Sequence, residues 1–211
     1  PPRHAHEGSS GLSLDHSERP VMRQLIVTTF VTLDGVMEAP GGGDHPHDGW
    51  TFKDVEFDPA AYELKSTEQQ EAGALLVGRT SWQEFEGVWP TMTEDFAEYN
   101  AMPKYVVSTT LSDEEVAASA WQPMTLLRSI DEVRVLKEGD GDPIIVHGSA
   151  GLAQSLAAAG LVDRYHLLVF PVILGSGKRL FASDGEKQNL RVTDSHTYPN
   201  GITKLVLDVV R

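Results

Sequence analysis

The sequence contains no cysteine, which excludes a disulfide framework, a thiolate metal site and a cysteine nucleophile. Basic residues are scarce: 17 Lys and Arg stand against 31 Asp and Glu, for a formal net charge of −14. That balance argues against a nucleic-acid partner and against an anionic membrane surface, since both attract an excess of positive charge, while one local basic pocket for a phosphate stays compatible with it. No apolar run approaches the roughly 20 residues needed to span a bilayer, so a cytoplasmic protein is expected. What is present is 40% hydrophobic content over 211 residues, enough for one domain with a sizeable core.

Residues 1–21 are rich in Pro, His, Gly and Ser and lack an apolar segment, so they are set apart as a tail and the domain is expected over 22–211. Arg23 to Leu33 is β-rich and stops at the turn pair Asp34-Gly35. A long polar loop, Glu38 to Lys53, has the length of a lid. Its Asp44, His45, His47 and Asp48 are ligand types, but neighbouring side chains rarely converge on one ion without a distant partner, and no metal is expected. Asp58-Pro59 opens a helix to about Gln70, with Asp58 as N-cap. Short strands are expected at Ala74 to Val77, Lys104 to Val107 and Met124 to Leu127, with capping boxes at Thr80/Gln83 and Ser129/Glu132.

The stretch Pro143 to Phe181 reads as strand, glycine turn, helix, strand and glycine loop. Tyr165 to Leu174 is almost unbroken in apolar residues, which suits a strand covered on both faces and hence an α/β layout with helices flanking a sheet. Asn200-Gly201 between two β-rich runs predicts a closing antiparallel hairpin.

Two turns invite an anion. His147 to Gly151 and Gly78-Arg79-Thr80 each join a strand to a helix, where free backbone N–H groups and the positive helix end can meet a phosphate, and the second brings an arginine fork. Tight turning alone explains the glycines equally well. Ser149, between Gly148 and Gly151, also has the look of a nucleophile elbow, with Asp184 and His196 following in hydrolase order, but His147 replaces the first glycine of that motif.

Three stretches in order, Thr32-Leu33-Asp34-Gly35, Leu76 to Trp82, and Pro171 to Phe181 preceded by Gly160 to Asp163, resemble the dihydrofolate reductase-like superfamily. They resemble most the reductase domain at the C-terminus of the bifunctional deaminase-reductase of riboflavin biosynthesis, and its stand-alone bacterial relatives. The resemblance implies a three-layer α/β fold with a mixed, mostly parallel sheet, and NADPH across the C-terminal strand ends. It places Gly78, Arg79 and Thr80 at the dinucleotide phosphates, Ser108 and Thr109 at the 2′-phosphate, and Gly148, Ser149, Ala150 and Gly151 under the pyrophosphate. On the substrate side it implies Asp34 and Trp50 as catalytic residues at the lid, and Leu174, Gly175 and Gly177 as a substrate loop. Dihydrofolate reductase itself relays its proton through a carboxylate on the first helix; no residue from Asp58 to Glu71 matches that motif, and Asp58, Tyr62 and Glu63 are the candidates for the role. The implied activity is hydride transfer from NADPH to a C=N or C=O bond of a small heterocycle, in a homodimer. The alternatives are a nucleotide-binding protein without turnover and the riboflavin-pathway reductase itself, for whose ribosyl phosphate only Lys178, Arg179 and Arg23 offer charge.

Overall fold

A computed structural model describes residues 22–94 and 96–211, so the expected tail lies outside the described residues. In chain order the elements are β1 (Leu25–Thr32), α1 (Trp50–Lys53), α2 (Glu63–Glu71), β2 (Ala74–Gly78), α3 (Arg79–Phe85), α4 (Ala97–Ala101), β3 (Lys104–Val107) and α5 (Asp113–Ala117). They continue as β4 (Met124–Leu127), α6 (Ile130–Glu138), β5 (Ile144–His147), α7 (Ala150–Ala158), β6 (Arg164–Phe170), β7 (Asn189–Thr197) and β8 (Thr203–Val210). Short 3₁₀ turns occupy Pro59–Tyr62 and Trp89–Thr91.

All eight strands form one sheet in the order β4-β3-β2-β5-β1-β6-β8-β7. The first six are mutually parallel, and β8 runs against both neighbours. β1 sits near the middle and is buried at nearly every position, as a β-branched run between two strands and two helical layers must be. One face packs Leu25, Val27, Val31 and Val146 against α6 and α7 through Val133, Leu152 and Leu156. On the opposite face the apolar residues form two separate clusters. One gathers Leu75, Val77, Val106 and Ile145 under Trp82, Tyr99 and Trp121; the other gathers Leu168 and Phe170 with Trp50, Val55 and Ile202.

The α/β layout and the hairpin through Tyr198 to Gly201 are as expected from sequence. Several boundaries differ. The strand expected to reach Leu174 ends at Phe170, because Pro171 has no N–H for the ladder. The Thr80/Gln83 capping box does not form: Gly78 is the N-cap and α3 starts at Arg79, one residue ahead of Thr80. Ser129 caps Glu132 N–H, but the Glu132 carboxylate reaches Arg128 N–H in place of the cap residue. The full reciprocal box is at Ser112/Glu115. Asp58 caps as expected, accepting from Ala60 N–H at 3.0 Å, on the 3₁₀ turn that leads into α2.

Within the Glu38 to Lys53 loop, Asp48 pairs with Lys53 and His45 Nδ1 accepts from His47 N–H, so these side chains brace the loop itself. Trp50 corrects a sequence expectation. Its ring is fully buried, packed edge-on to Phe170 at 5.2 Å, and its indole N–H donates to Glu38 O at 2.9 Å. A tryptophan without exposed surface and with its only donor taken is a core anchor for the loop, not a side chain presented to substrate. Trp50→Ala is therefore expected to lower stability by about 3–5 kcal/mol in urea unfolding; a loss under 1 kcal/mol would restore the substrate-facing reading.

Candidate active site

Parallel strands place the turns after β1, β2, β3, β5 and β6 on one rim, and ligands of open α/β sheets bind outside such carboxyl ends. After β2 and β5 the chain turns directly into α3 and α7, and the two turns touch. Ser149 Oγ accepts Gly78 N–H at 2.7 Å and lies 2.7 Å from Ser81 Oγ, to which it donates. Gly148 has φ +70, and a Cβ there would come within 3.1 Å of Ser81 Oγ, so a side chain would strain the backbone and crowd α3. With its side chain turned to α3, Ser149 caps nothing on α7, and among the described residues the first-turn N–H groups of that nine-residue helix have no capping side chain. Just after neighbouring β3 comes Ser108, whose Oγ accepts from Thr110 and Leu111 N–H. Exposed Arg79 donates to Thr110 Oγ1 at 2.8 Å, which holds its guanidinium over this end of the rim beside Thr80 and Thr109.

On the other side of β5, Asp34 joins two loops. Its carboxylate accepts from Thr32 Oγ1 at 2.6 Å, Leu174 N at 3.2 Å and Gly175 N at 2.9 Å, with Arg179 Nη2 at 3.5 Å. The Thr32 hydroxyl, with the Gly175 and Leu174 N–H groups, outweighs partial burial and holds the acid down to about 2. Gly177 lies where a Cβ would meet Val36 Cγ1 at 2.7 Å, so the loop after β6 lies flat on the loop after β1.

Between the two apolar clusters on the α2 face runs a buried polar seam. Thr28 pairs in register with His147 on one side and His166 on the other, so all three point to that face. Glu68 of α2 descends onto them: Oε1 accepts from Thr28 Oγ1 at 2.7 Å and meets His166 Nδ1 at 2.8 Å, and Oε2 lies 3.4 Å from Lys65 Nζ. Burial would raise the Glu68 acid, but Lys65, His166 and Thr28 together hold it down to about 2. His147 Nδ1 meets Tyr99 Oη at 2.5 Å; burial, with the nearby Lys65 charge, pushes this imidazole down to about 4, and burial raises the Tyr99 phenol. Two surface cavities of about 390 and 350 Å³ lie elsewhere, one lined by Gln69, Ala72 and Met102, the other by Met22, Gln24, Lys137 and Asp163.

The model of the RibD C-terminal domain matches residues 23–204. The chain belongs to the RibD C-terminal domain family. It is 27% identical over 190 residues to the uncharacterised protein YyaP of Bacillus subtilis, covering 87% of this chain and 94% of that one. Among solved structures it resembles a putative riboflavin biosynthesis protein of Shewanella sp. PV-4, with TM-score 0.69 at 19% identity over 89% of this chain and 99% of the other. It also resembles the dihydrofolate reductase of Enterococcus faecalis, solved with NADP(H), with TM-score 0.58 at 11% identity over 89% and 97%. The fold is thus dihydrofolate reductase-like.

Within this family fold the residues selected from sequence occupy the rim in strand order: Ser108 and Thr109 after β3, Gly78 to Thr80 after β2, Gly148 to Gly151 after β5, Asp34 after β1, and Leu174 to Gly177 after β6. Trp50 stands apart in the core. Asp34 fastens the loops after β1 and β6, and the donors that do so hold its carboxyl down to about 2. Among the described residues Ser149 has no imidazole hydrogen-bond partner, which leaves the hydrolase alternative without its base. Glu68, Lys65 and His166 were missed. In sequence α2 reads as a polar helix, and only the i, i+3 spacing of Lys65 and Glu68 marks a common face.

The seam makes stability pH-dependent. Glu68 titrates at about 2 against an ordinary 4.5, so its contribution, on the order of 3 kcal/mol, is complete above about pH 4.5 and is lost as pH falls toward 2. His147, at about 4 against 6.5, adds a loss over the interval from 6.5 down to 4, because the unfolded chain takes up the proton first. Urea unfolding free energies should fall in these two stages. Glu68→Gln should shrink the lower stage, leaving the share due to Asp34, and His147→Gln should remove the upper.

Proposed function

We propose that this chain is an NADPH-dependent reductase acting on a C=N or C=O bond of a small pyrimidine- or pterin-like heterocycle. The observation that carries it is the paired strand-to-helix turns: Gly148 packed against Ser81, an uncapped α7 N-terminus beside it, and Arg79 braced by Thr110 on the same rim. A glycine turn at positive φ, N–H groups at a helix start and a guanidinium are the donor set of a diphosphate. Gly78, Gly148, Ala150 and Gly151 would hold the pyrophosphate, while Arg79, Thr80, Ser108 and Thr109 would hold the phosphate at the adenosine end. From β3 to β1 the rim spans three strand spacings of about 4.8 Å each, leading from these anion sites to the mouth of the seam. The bound dihydronicotinamide supplies hydride. The chain's own residues position it, keep water out with the loop pinned by Trp50, and offer the heterocycle the aromatic and polar groups of the α2 face.

The riboflavin-pathway substrate is disfavoured on charge. Of the three basic residues available for a ribosyl phosphate, Arg179 is tied to Asp34, Lys178 pairs with Glu38, and Arg23 lies at the opposite end of β1, bonded to Asp142 O. We also propose that two copies associate through β7, an edge strand exposed at all nine positions and carrying Leu190 and Val192. Light scattering at micromolar concentration should give a dimer mass, and a monomer would remove this part.

Arg79→Ala is expected to weaken NADPH binding roughly ten- to hundredfold, as for loss of a charge-assisted pair of about 1.5 to 3 kcal/mol, with stability nearly unchanged because the side chain is exposed. Fluorescence titration of NADPH and NADH checks both points. Loss confined to NADPH places the contact on the 2′-phosphate, equal loss places it on the pyrophosphate, and no loss for either overturns the assignment.

A further inference from the structure

A reduction of this kind needs a proton as well as hydride, and the obvious carboxylates do not carry one. Asp34 and Glu68 are both held ionised, at about 2, and are acceptors only. Lys65 is different. Its side chain is 13% exposed, so the ammonium is largely withdrawn from water, at a cost of several kcal/mol unless it is well partnered. Partnering is incomplete: Nζ donates to Thr28 Oγ1 and, at 3.4 Å, to Glu68 Oε2, and the third N–H has no protein acceptor among the described residues.

The surroundings of that ammonium are flat and aromatic. Nζ lies 5.3 Å from the Phe30 ring centroid, Phe30 meets Tyr62 edge-on at 5.8 Å, and Tyr62 stacks on Phe57 at 5.2 Å with 29° between planes. Phe57 is 63% exposed, so the aromatic wall reaches solvent. Apolar planar walls with a few convergent polar groups suit a planar heterocycle bearing carbonyl oxygens or ring nitrogens. Phe30 lies two residues beyond Thr28 on the same strand face, so the wall also leads from the seam toward the rim.

We infer that Lys65 is the catalytic acid of this site, donating its free N–H to the carbonyl oxygen or ring nitrogen of the heterocycle, with Glu68, Thr28 and His166 as positioning residues. The assignment rests on the reductase reading above. The bond being reduced takes hydride, with its electron pair, at carbon from the nicotinamide reductant of that reading, and a proton at nitrogen or oxygen from Lys65. One Nζ–H bond breaks, one N–H or O–H bond forms on the substrate, and Lys65 is left a neutral amine until water returns the proton. Burial lowers the Lys65 pKa while the Glu68 charge opposes that fall, so the ammonium releases a proton more readily than a surface lysine. The groups facing it are Glu68 from α2, Thr28 from β1, His166 from β6, and, further along the seam, His147 from β5 and Tyr99 from α4.

The test uses the full chain with saturating NADP⁺, which permits no turnover, and two probes, pterin and uracil. ¹⁵N resonances of the lysine ammonium groups report on Lys65, identified by the signal missing in Lys65→Met. Addition of a probe should shift the Lys65 signal and leave that of remote Lys187 in place. Lys65→Met should bind the probe about tenfold or more weakly, with NADP⁺ affinity unchanged. Glu68→Gln should move the Lys65 titration to lower pH, since the ammonium loses its anion. If Lys65→Met does not fold, the wild-type resonance still decides. A Lys65 signal unmoved by both probes, or a probe bound equally well by wild type and Lys65→Met, overturns the assignment even where NADP⁺ binds normally. Failure of the wild-type chain to bind NADP⁺ is a separate result that removes the reductase reading itself.

Discussion

Six adjacent strands running the same way leave their C-terminal ends on one edge of the sheet, and the rest of the molecule answers to that one-way ladder. Parallel strands cannot be joined by tight hairpins, so each crossover carries helical or looped chain over a face, and every strand-to-helix turn opens on the same rim. That is why Gly78 and Ser149, 71 residues apart in sequence, meet through one serine hydroxyl. It is also why Asp34 can fasten the loop after β6: β1 and β6 are neighbours whose ends coincide. Antiparallel β8 and its partner β7 extend the sheet without adding to the rim.

The α2 face shows what a sheet of this kind does with polar residues it cannot expose. Thr28, His147 and His166 face inward at the level where the apolar packing divides into two clusters. Each would be costly if left unpaired, and Glu68 answers two of them while Tyr99 answers the third. Glu68 is itself affordable only because Lys65 neutralises it and Thr28 and His166 hydrogen-bond it. A pair so deeply set contributes little net stability compared with an apolar replacement, whereas removing one partner strands a charge. Such a buried arrangement makes removal of any one partner costly to the fold.

Fold and site were unequally legible. Buried strands announce themselves by composition, so Leu25 to Thr32 and Ile144 to His147 could be read directly, and Asn200-Gly201 specified its hairpin through turn chemistry. The glycine turns were legible for the same local reason: backbone geometry at Gly148 is written in the residue type. The surroundings of Trp50 and Asp34 were not legible because they depend on distant atoms. A tryptophan in a polar loop looks available until Phe170 and Glu38 O close around it. An aspartate before glycine looks free until Leu174 and Gly175 offer their N–H groups. Glu68 left still less trace, since a glutamate in a polar helix is ordinarily a solvated one.

The sequence by itself determined the α/β class, the closing hairpin, the positions of the glycine turns between strand and helix and the family likeness, because each rests on interactions between residues close along the chain. Only the tertiary structure decided which carboxylates are clamps, that Trp50 is a core residue, and that Lys65, Glu68 and His166 share one seam. Those are properties of burial and of partners brought together across strands, and the charge state of a group follows the dielectric and the donors around it rather than its neighbours in sequence.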